Sequence, residues 1–316
     1  MKKVLVIGGS YFVGRVFVEE LLKAGGYEIT VLNRGRIPMR KEGLVELKCD
    51  RRDPARMREV LGGAGNGKGR SESRWDALVD FCAYKPEDVA GVITALPQGA
   101  VGHYIFVSTA SVYAKTNELP VMEGAPKLQG PQPELGPSAD YAYDKWRTEV
   151  ALGDECAPKG IPFTSIRPAF IYGKYNYAPR ESYFFDLILR NDTVVVPDER
   201  LALFSFVSVW DAARIIIGCM GNEQAFGRAF NAAAEDLVSY PRLMEVLETV
   251  TGRDVRTRTM SVADINANNI PLPFPMDEHL IYSGALVREA FGFRYTPFLD
   301  GMKETYRYYL LGRKTP

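Results

Sequence analysis

Short apolar runs alternate with longer stretches of helical spacing through the first half of the chain. Val4–Ile7, Ile29–Leu32, Val45–Leu47, Ala77–Cys82, Tyr104–Val107 and Phe163–Ile166 are each bounded by polar residues or glycine, as expected of strands buried on both faces. Between them, Phe12–Leu22, Pro54–Leu61, Pro86–Leu96 and Tyr141–Leu152 carry helical spacing. The alternation predicts an α/β fold, a doubly wound parallel sheet over residues 1–172.

Two segments break the rhythm. "LGGAGNGKGRSESR" (Leu61–Arg74) reads as a flexible surface insertion. The stretch Glu118–Asp140 is too rich in proline and glycine for a regular element. Beyond Tyr172 the alternation weakens, and residues 173–316 read as a smaller substrate-side domain. Within it, strands near 204–210 and 228–233 are expected to return to the main sheet.

Composition narrows the function classes. The chain has 316 residues, with 39 basic and 39 acidic side chains. No net field gathers nucleic acid or an anionic membrane, though a local basic patch is compatible with that balance. Cys49, Cys82, Cys156 and Cys219 lie far apart and read as reduced thiols of a cytoplasmic protein. With two histidines, a histidine-rich metal site is not expected. An apolar span of membrane length and an export signal are both lacking.

Gly8, Gly9 and Gly14, in "KKVLVIGGSYFVGR", follow the first strand and open the first helix. A turn there lets backbone N–H groups of Gly9, Ser10, Tyr11 and Phe12 approach a pyrophosphate. The same spacing also suits a plain strand-to-helix turn. After the second strand stand Asn33, Arg34 and Arg36, where an acid would bond an adenosine ribose. Arginine there pairs with a 2′-phosphate or is simply solvated; the first reading favours NADP over NAD. Asp50, after the third strand, could accept from an adenine amino group, with Arg51 beside it.

Tyr141 and Lys145 stand four apart and share a helical face. A nearby ammonium favours the phenolate, which makes the pair a proton-transfer site. Ser108, Thr109 and Ser111 leave the carboxyl end of the fifth strand, the edge at which open α/β sheets bind ligands. Their hydroxyls can hold a substrate oxygen or cap the backbone.

In this order the glycine turn, "WDALVDFCAYKP", "FVSTASVY", the Tyr–Lys pair, "IRPAFIYG", "FSFVSVWDAA" and "FNAAAEDLVSY" resemble the extended short-chain dehydrogenase/reductase family, or NAD-dependent epimerase/dehydratases. The resemblance implies a Rossmann-like fold and an NAD(P) cofactor lined by Phe81, Ala83 and Pro168. It makes Thr109, Tyr141 and Lys145 catalytic, with Lys145 holding the nicotinamide ribose and lowering the Tyr141 pKa. It also implies a homodimer through a four-helix contact. Tyr11 stands where the family usually has its middle glycine, so the turn resembles an atypical G-G-x-x-x-x-G subgroup that includes RNA-binding proteins.

Three departures shape the expected chemistry. Ala110 and Ser111 replace the Asp-Glu of the dehydratases, which disfavours elimination of water. Phe170 replaces an Asn that contacts nucleotide sugars in many members, and suits a less polar substrate. Ser208 and Trp210 replace a His and an Asp whose role is unassigned. The expectation is an NAD(P)-dependent epimerase or oxidoreductase acting on a sugar-like or other hydroxylated molecule, with Thr109, Ser111 and Phe170 near it. The alternative is an RNA-binding or regulatory protein with a non-catalytic cofactor site.

Overall fold

The computed structural model describes residues 1–62, 75–198 and 202–313. Most of the expected surface insertion, residues 63–74, lies outside the described residues.

The first half alternates strand and helix: β1 (Lys2–Ile7), α1 (Phe12–Ala24), β2 (Tyr27–Asn33), β3 (Leu44–Lys48), α2 (Pro54–Gly62), β4 (Ala77–Asp80), α3 (Pro86–Ala95), β5 (Tyr104–Val107), α4 (Tyr141–Cys156) and β6 (Phe163–Pro168). There follow β7 (Phe170–Tyr172), α5 (Glu181–Arg190), β8 (Val194–Pro197), β9 (Phe204–Ser208), α6 (Val209–Cys219), β10 (Arg228–Ala232) and β11 (Leu237–Val238). Seven strands form one parallel sheet in the order β10-β6-β5-β4-β1-β2-β3.

Strand periodicity sorts the core. Val4 and Val6 of β1 face one side, where they pack with Phe17, Val18 and Leu21 of α1 and with Ile215 and Ile216 of α6. Leu5 and Ile7 face the other, against Val89, Val92 and Ile93 of α3 and Leu152 of α4. Successive side chains of a strand point to opposite faces, so an apolar run covered on both sides reads as continuous.

The two later strands part company. β10 joins the main sheet beside β6, with Phe230 opposite Ile166. The expectation for residues 204–210 is corrected: β9 pairs with β7 and β11 in a separate three-stranded sheet. Phe204 and Phe206 are the reason. Their rings pack on Phe274, at 5.3 and 4.9 Å between centroids, and Phe206 also packs on Phe298 at 4.9 Å. They belong to a third core that includes Phe184 and Phe185 of α5. Among the described residues no helix is long and apolar enough to cross a membrane.

Candidate active site

The turn after β1 is shaped by close contact. Gly8 has φ +86, and a Cβ on it would stand 3.0 Å from the Cys82 Sγ. A Cβ on Gly14 would stand 2.5 Å from the Gly8 carbonyl oxygen, so only glycine lets α1 approach the strand. Phe12 has φ 37, a conformation costly for a bulky residue and of the kind found where a site is built. The first N–H groups of a helix have no intrahelical acceptor. In α1 they are also uncapped: Tyr11 at the N-cap makes no side-chain bond, and the first turn has no acidic residue. A cradle of orphan donors at a positive helix end fits a dinucleotide pyrophosphate. Tyr11 turns outward, at 50 % exposure, and Ser10 is half-buried beside it.

Around this cradle the expected cofactor residues divide. Phe81 follows β4, its N–H donating to the Ile7 carbonyl at 2.9 Å. Ala83 and Pro168 are buried at the carboxyl ends of β4 and β6. Asn33 accepts from the Gly35 N–H at 2.7 Å and donates to Glu46 at 3.4 Å. Glu46 in turn accepts from the N–H groups of Met39 and Arg40. Arg34 and Arg36 are exposed. Asp50 is exposed and accepts from the Arg52 N–H at 3.0 Å.

The Arg51 side chain, expected beside the cofactor, is turned into the protein. It donates to both Asp80 carboxylate oxygens, at 2.9 and 2.8 Å, and to the Asp88 carbonyl at 2.7 Å. Asp80 also accepts from the Tyr104 hydroxyl and from the Cys82 and Ala83 N–H groups. Burial works to raise the Asp80 pKa, and Arg51 with these donors outweighs it and holds the pKa below the usual value. The ion pair thus fixes the turn carrying Phe81, Cys82 and Ala83.

Thr109, Tyr141 and Lys145 converge at the carboxyl edge of the sheet. Thr109 caps the short turn Ala110–Val112, its Oγ1 accepting from the Ser111 N–H at 3.2 Å and donating to the Ser111 hydroxyl at 3.2 Å. The Thr109 hydroxyl also lies near enough to the Tyr141 phenol to lower its pKa. Tyr141 opens α4 and is 43 % exposed. Lys145, one turn on, is buried; its Nζ donates to the carbonyls of Ala83 and Val107, each at 2.8 Å. Burial lowers the Lys145 pKa to about 8. It lies 4.9 Å from the centroid of Tyr84 and 4.6 Å from that of Phe106.

The electrostatics of Tyr141 are set by opposing neighbours. Burial and the Tyr177 phenol raise its pKa, while the Thr109 hydroxyl and the Arg180 guanidinium lower it, with a net rise. Arg180 is a cation that works toward the phenolate, and the Lys145 ammonium is directed at backbone carbonyls. Arg180 donates to the Ile171 carbonyl at 3.1 Å and stands 5.5 Å from the centroid of Phe170. It makes no ion pair among the described residues. Phe170 itself packs on Phe204, Phe206 and Phe274. Sequence reading missed Arg180 and Tyr177, because "NYAPR" lies outside every motif and only spatial return brings it to the site, and it passed over Tyr84 within "WDALVDFCAYKP".

A buried brace lies beneath. Ser108 donates to Glu149 at 2.5 Å, and Arg167 clamps Glu149 through Nε and Nη2 at 3.0 and 2.7 Å. Arg167 continues to the Tyr113 hydroxyl, which donates to Asn231 of β10. The brace ties the ends of β5 and β6 to α4. A depression of about 500 Å³ lies at the other, amino-terminal edge of the sheet, lined by Lys2, Asp76, Gly102 and Lys159 among others. It holds none of these groups.

The sequence profile of the NAD dependent epimerase/dehydratase family matches residues 4–233. The chain belongs to this family. It is 28 % identical over 265 residues, 79 % of this chain, to the chloroplast stem-loop binding protein of 41 kDa b from Arabidopsis thaliana, and that match spans 64 % of the relative's length. A UDP-glucose 4-epimerase of Corynebacterium glutamicum is 24 % identical over 80 % of this chain and 82 % of its own. Among solved structures, the UDP-glucose 4-epimerase of Thermotoga maritima with UDP-glucose superposes with a TM-score of 0.78 at 18 % identity, covering 98 % of this chain and 99 % of that one. The shared fold is therefore that of the epimerases.

Proposed function

We propose that the chain is a dinucleotide-dependent epimerase or oxidoreductase acting at a hydroxyl-bearing carbon of a sugar-like molecule. The observation that carries this reading is the convergence of Thr109, Tyr141 and Lys145 at the carboxyl edge of the sheet, beside the uncapped turn of α1. The dinucleotide, when bound, supplies a hydride acceptor. Tyr141 takes the hydroxyl proton as its phenolate. Thr109 steadies the substrate oxygen, with Ser111 holding the Thr109 hydroxyl in place. An ammonium has three N–H donors; two of those on Lys145 are bonded to carbonyls, and the third is assigned to a ribose hydroxyl. Phe170 and Arg180 border the substrate. The UDP-glucose 4-epimerase relatives support a sugar-like substrate.

Arg180→Met tests the electrostatics. Removing the cation raises the Tyr141 pKa, so the acid limb of the turnover profile moves to higher pH while the alkaline plateau stays. An unmoved profile would refute this role for Arg180.

For the cofactor, the Asn33 side chain and the Glu46 carboxylate are engaged by the loop, and Arg34 and Arg36 are open to solvent. This supports acceptance of NADP alongside NAD, with NADP favoured. Denaturing the purified protein, identifying released nucleotide by mass, and titrating stripped protein with both dinucleotides tests the reading. The expected result is NADP binding at least as tight as NAD. Failure of both to bind at millimolar concentration would defeat it.

One relative favours a second reading: the stem-loop binding protein suggests RNA as a partner. RNA binding rests on phosphate neutralisation and falls steeply with salt. A salt-dependent mobility shift with stem-loop RNA, unaffected by Tyr141→Phe, would favour it. A homodimer through the outward faces of α3 and α4 is also proposed; Ala90, Gly91, Tyr143 and Val150 leave a small, partly apolar surface there.

A further inference from the structure

The segment from Gly173 to Arg180 joins β7 to α5, yet it is fastened to α1. Lys174 pairs with Glu19 at 2.7 Å, and Tyr175 donates its hydroxyl to the same carboxylate at 3.0 Å. Lys41, from the loop after β2, reaches Glu19 at 3.3 Å. The Arg15 guanidinium stands 4.3 Å from the centroid of the Tyr175 ring. Burial works to raise the Glu19 pKa, but its partners outweigh it and keep the carboxylate ionised. One acidic residue thus draws together the strap, the helix and the loop.

Just beyond this anchor, Tyr177 stacks on Tyr11, with centroids 5.0 Å apart and planes at 23°, and meets Phe12 edge-on at 5.8 Å. Tyr11 is the N-cap of α1, at the position where the family usually has glycine. A glycine would offer Tyr177 nothing to stack on. Both rings remain exposed, Tyr11 at 50 % and Tyr177 at 64 %, so the contact roofs the turn and adds little to the core. The Tyr177 phenol is also within electrostatic reach of Tyr84 and Tyr141. The ring pair therefore spans from the anion cradle toward the proton-transfer residue.

We infer that Tyr11 and Tyr177, held by the Glu19–Lys174 anchor, form a clasp between α1 and the segment joining β7 to α5 that closes over the dinucleotide and slows its exchange. This rests on the functional reading above and adds to it: the cofactor stays bound from one turnover to the next, as a reaction that returns its hydride to the substrate requires. An offset aromatic stack is strong enough to change an exchange rate roughly three- to tenfold. Partly buried ion pairs resist screening by salt, so the anchor persists at moderate ionic strength.

Protein loaded with NADH or NADPH, whichever binds tighter, is mixed in a stopped-flow cell with excess oxidised dinucleotide, and dissociation is followed by loss of reduced-nicotinamide fluorescence. Tyr177→Ala and Tyr11→Gly are each expected to raise the dissociation rate about three- to tenfold. The double variant should be no faster than the faster single one, because both remove the same contact. Tyr177→Phe keeps the ring and should keep the wild-type rate, and Lys174→Met should accelerate release by way of the anchor. Both rings are exposed, and an unchanged urea midpoint verifies that the variants fold. Wild-type rates in both single variants, or multiplicative rates in the double, overturn the clasp and leave the functional reading standing. Failure of either dinucleotide to bind overturns both.

Discussion

Tyr141→Phe is expected to lower turnover by about 10²- to 10⁴-fold, the range for loss of a positioned acid–base group. The substitution removes one oxygen atom from a ring that is 43 % exposed, so folding is unaffected. It also leaves Gly8, Gly14 and the α1 turn untouched, and dinucleotide affinity should stay within about threefold of wild type, as for a surface change without structural effect. The split between turnover and binding is the informative part. Rate measurements at saturating substrate, beside a dinucleotide titration of the same preparation, test both halves. Retention of more than about a tenth of the turnover would remove Tyr141 from the chemistry.

The second large effect concerns stability. Arg51→Met strips the cation from Asp80, which is 0 % exposed, and breaking one side of a buried pair costs about 3–5 kcal/mol. The Arg51 side chain is itself only 10 % exposed, so solvent screens the pair little. Urea denaturation should show a lower midpoint at unchanged slope. The pH dependence has a definite sign. The Asp80 pKa is lowered on folding, so its pairing adds stability above the ordinary aspartate pKa of about 4. That stability is lost as pH falls through the lowered value, and the gap between wild type and variant should narrow on acidification. A loss below about 1 kcal/mol at neutral pH would mean that Asp80 finds other partners, contrary to a buried pair. Because Asp80 also holds the Cys82 and Ala83 N–H groups, and the Ala83 carbonyl holds Lys145, the variant should bind dinucleotide more weakly as well.

These cases mark what was legible in the sequence. β1 to β6 and α1 to α4 follow the predicted segments because local periodicity and sheet burial coincide there. Spacing singled out Tyr141 and Lys145 and the family resemblance Thr109; the fold brings the three to one edge of the sheet, and their catalytic roles are a proposal. The Arg51–Asp80 pair was not legible, because sequence shows a cation after a strand but not the carboxylate it faces: Asp80 is 29 positions away. Arg180 and Tyr177 were invisible for a similar reason. Their segment is fastened near the site by contacts such as those of Lys174 and Tyr175 with Glu19, more than 150 positions earlier. β9 had the composition of a core strand, and which of two sheets it would join depended on the rings of Phe274 and Phe298, far downstream.

The place of β10 bears on how the chain reaches its native state. It is the outermost strand beside β6, but it leaves the ribosome only after β7, β9 and α6 have been made. Until then β6 presents an open edge, a template for pairing with another chain. A fragment ending at Tyr172 would keep that edge, and would lack the Asn231 acceptor of Tyr113 and the α6 residues that cover Val4 and Val6. The seven-stranded sheet is therefore continuous in space but not in synthesis, and its completion waits for a strand made after β7 and β9.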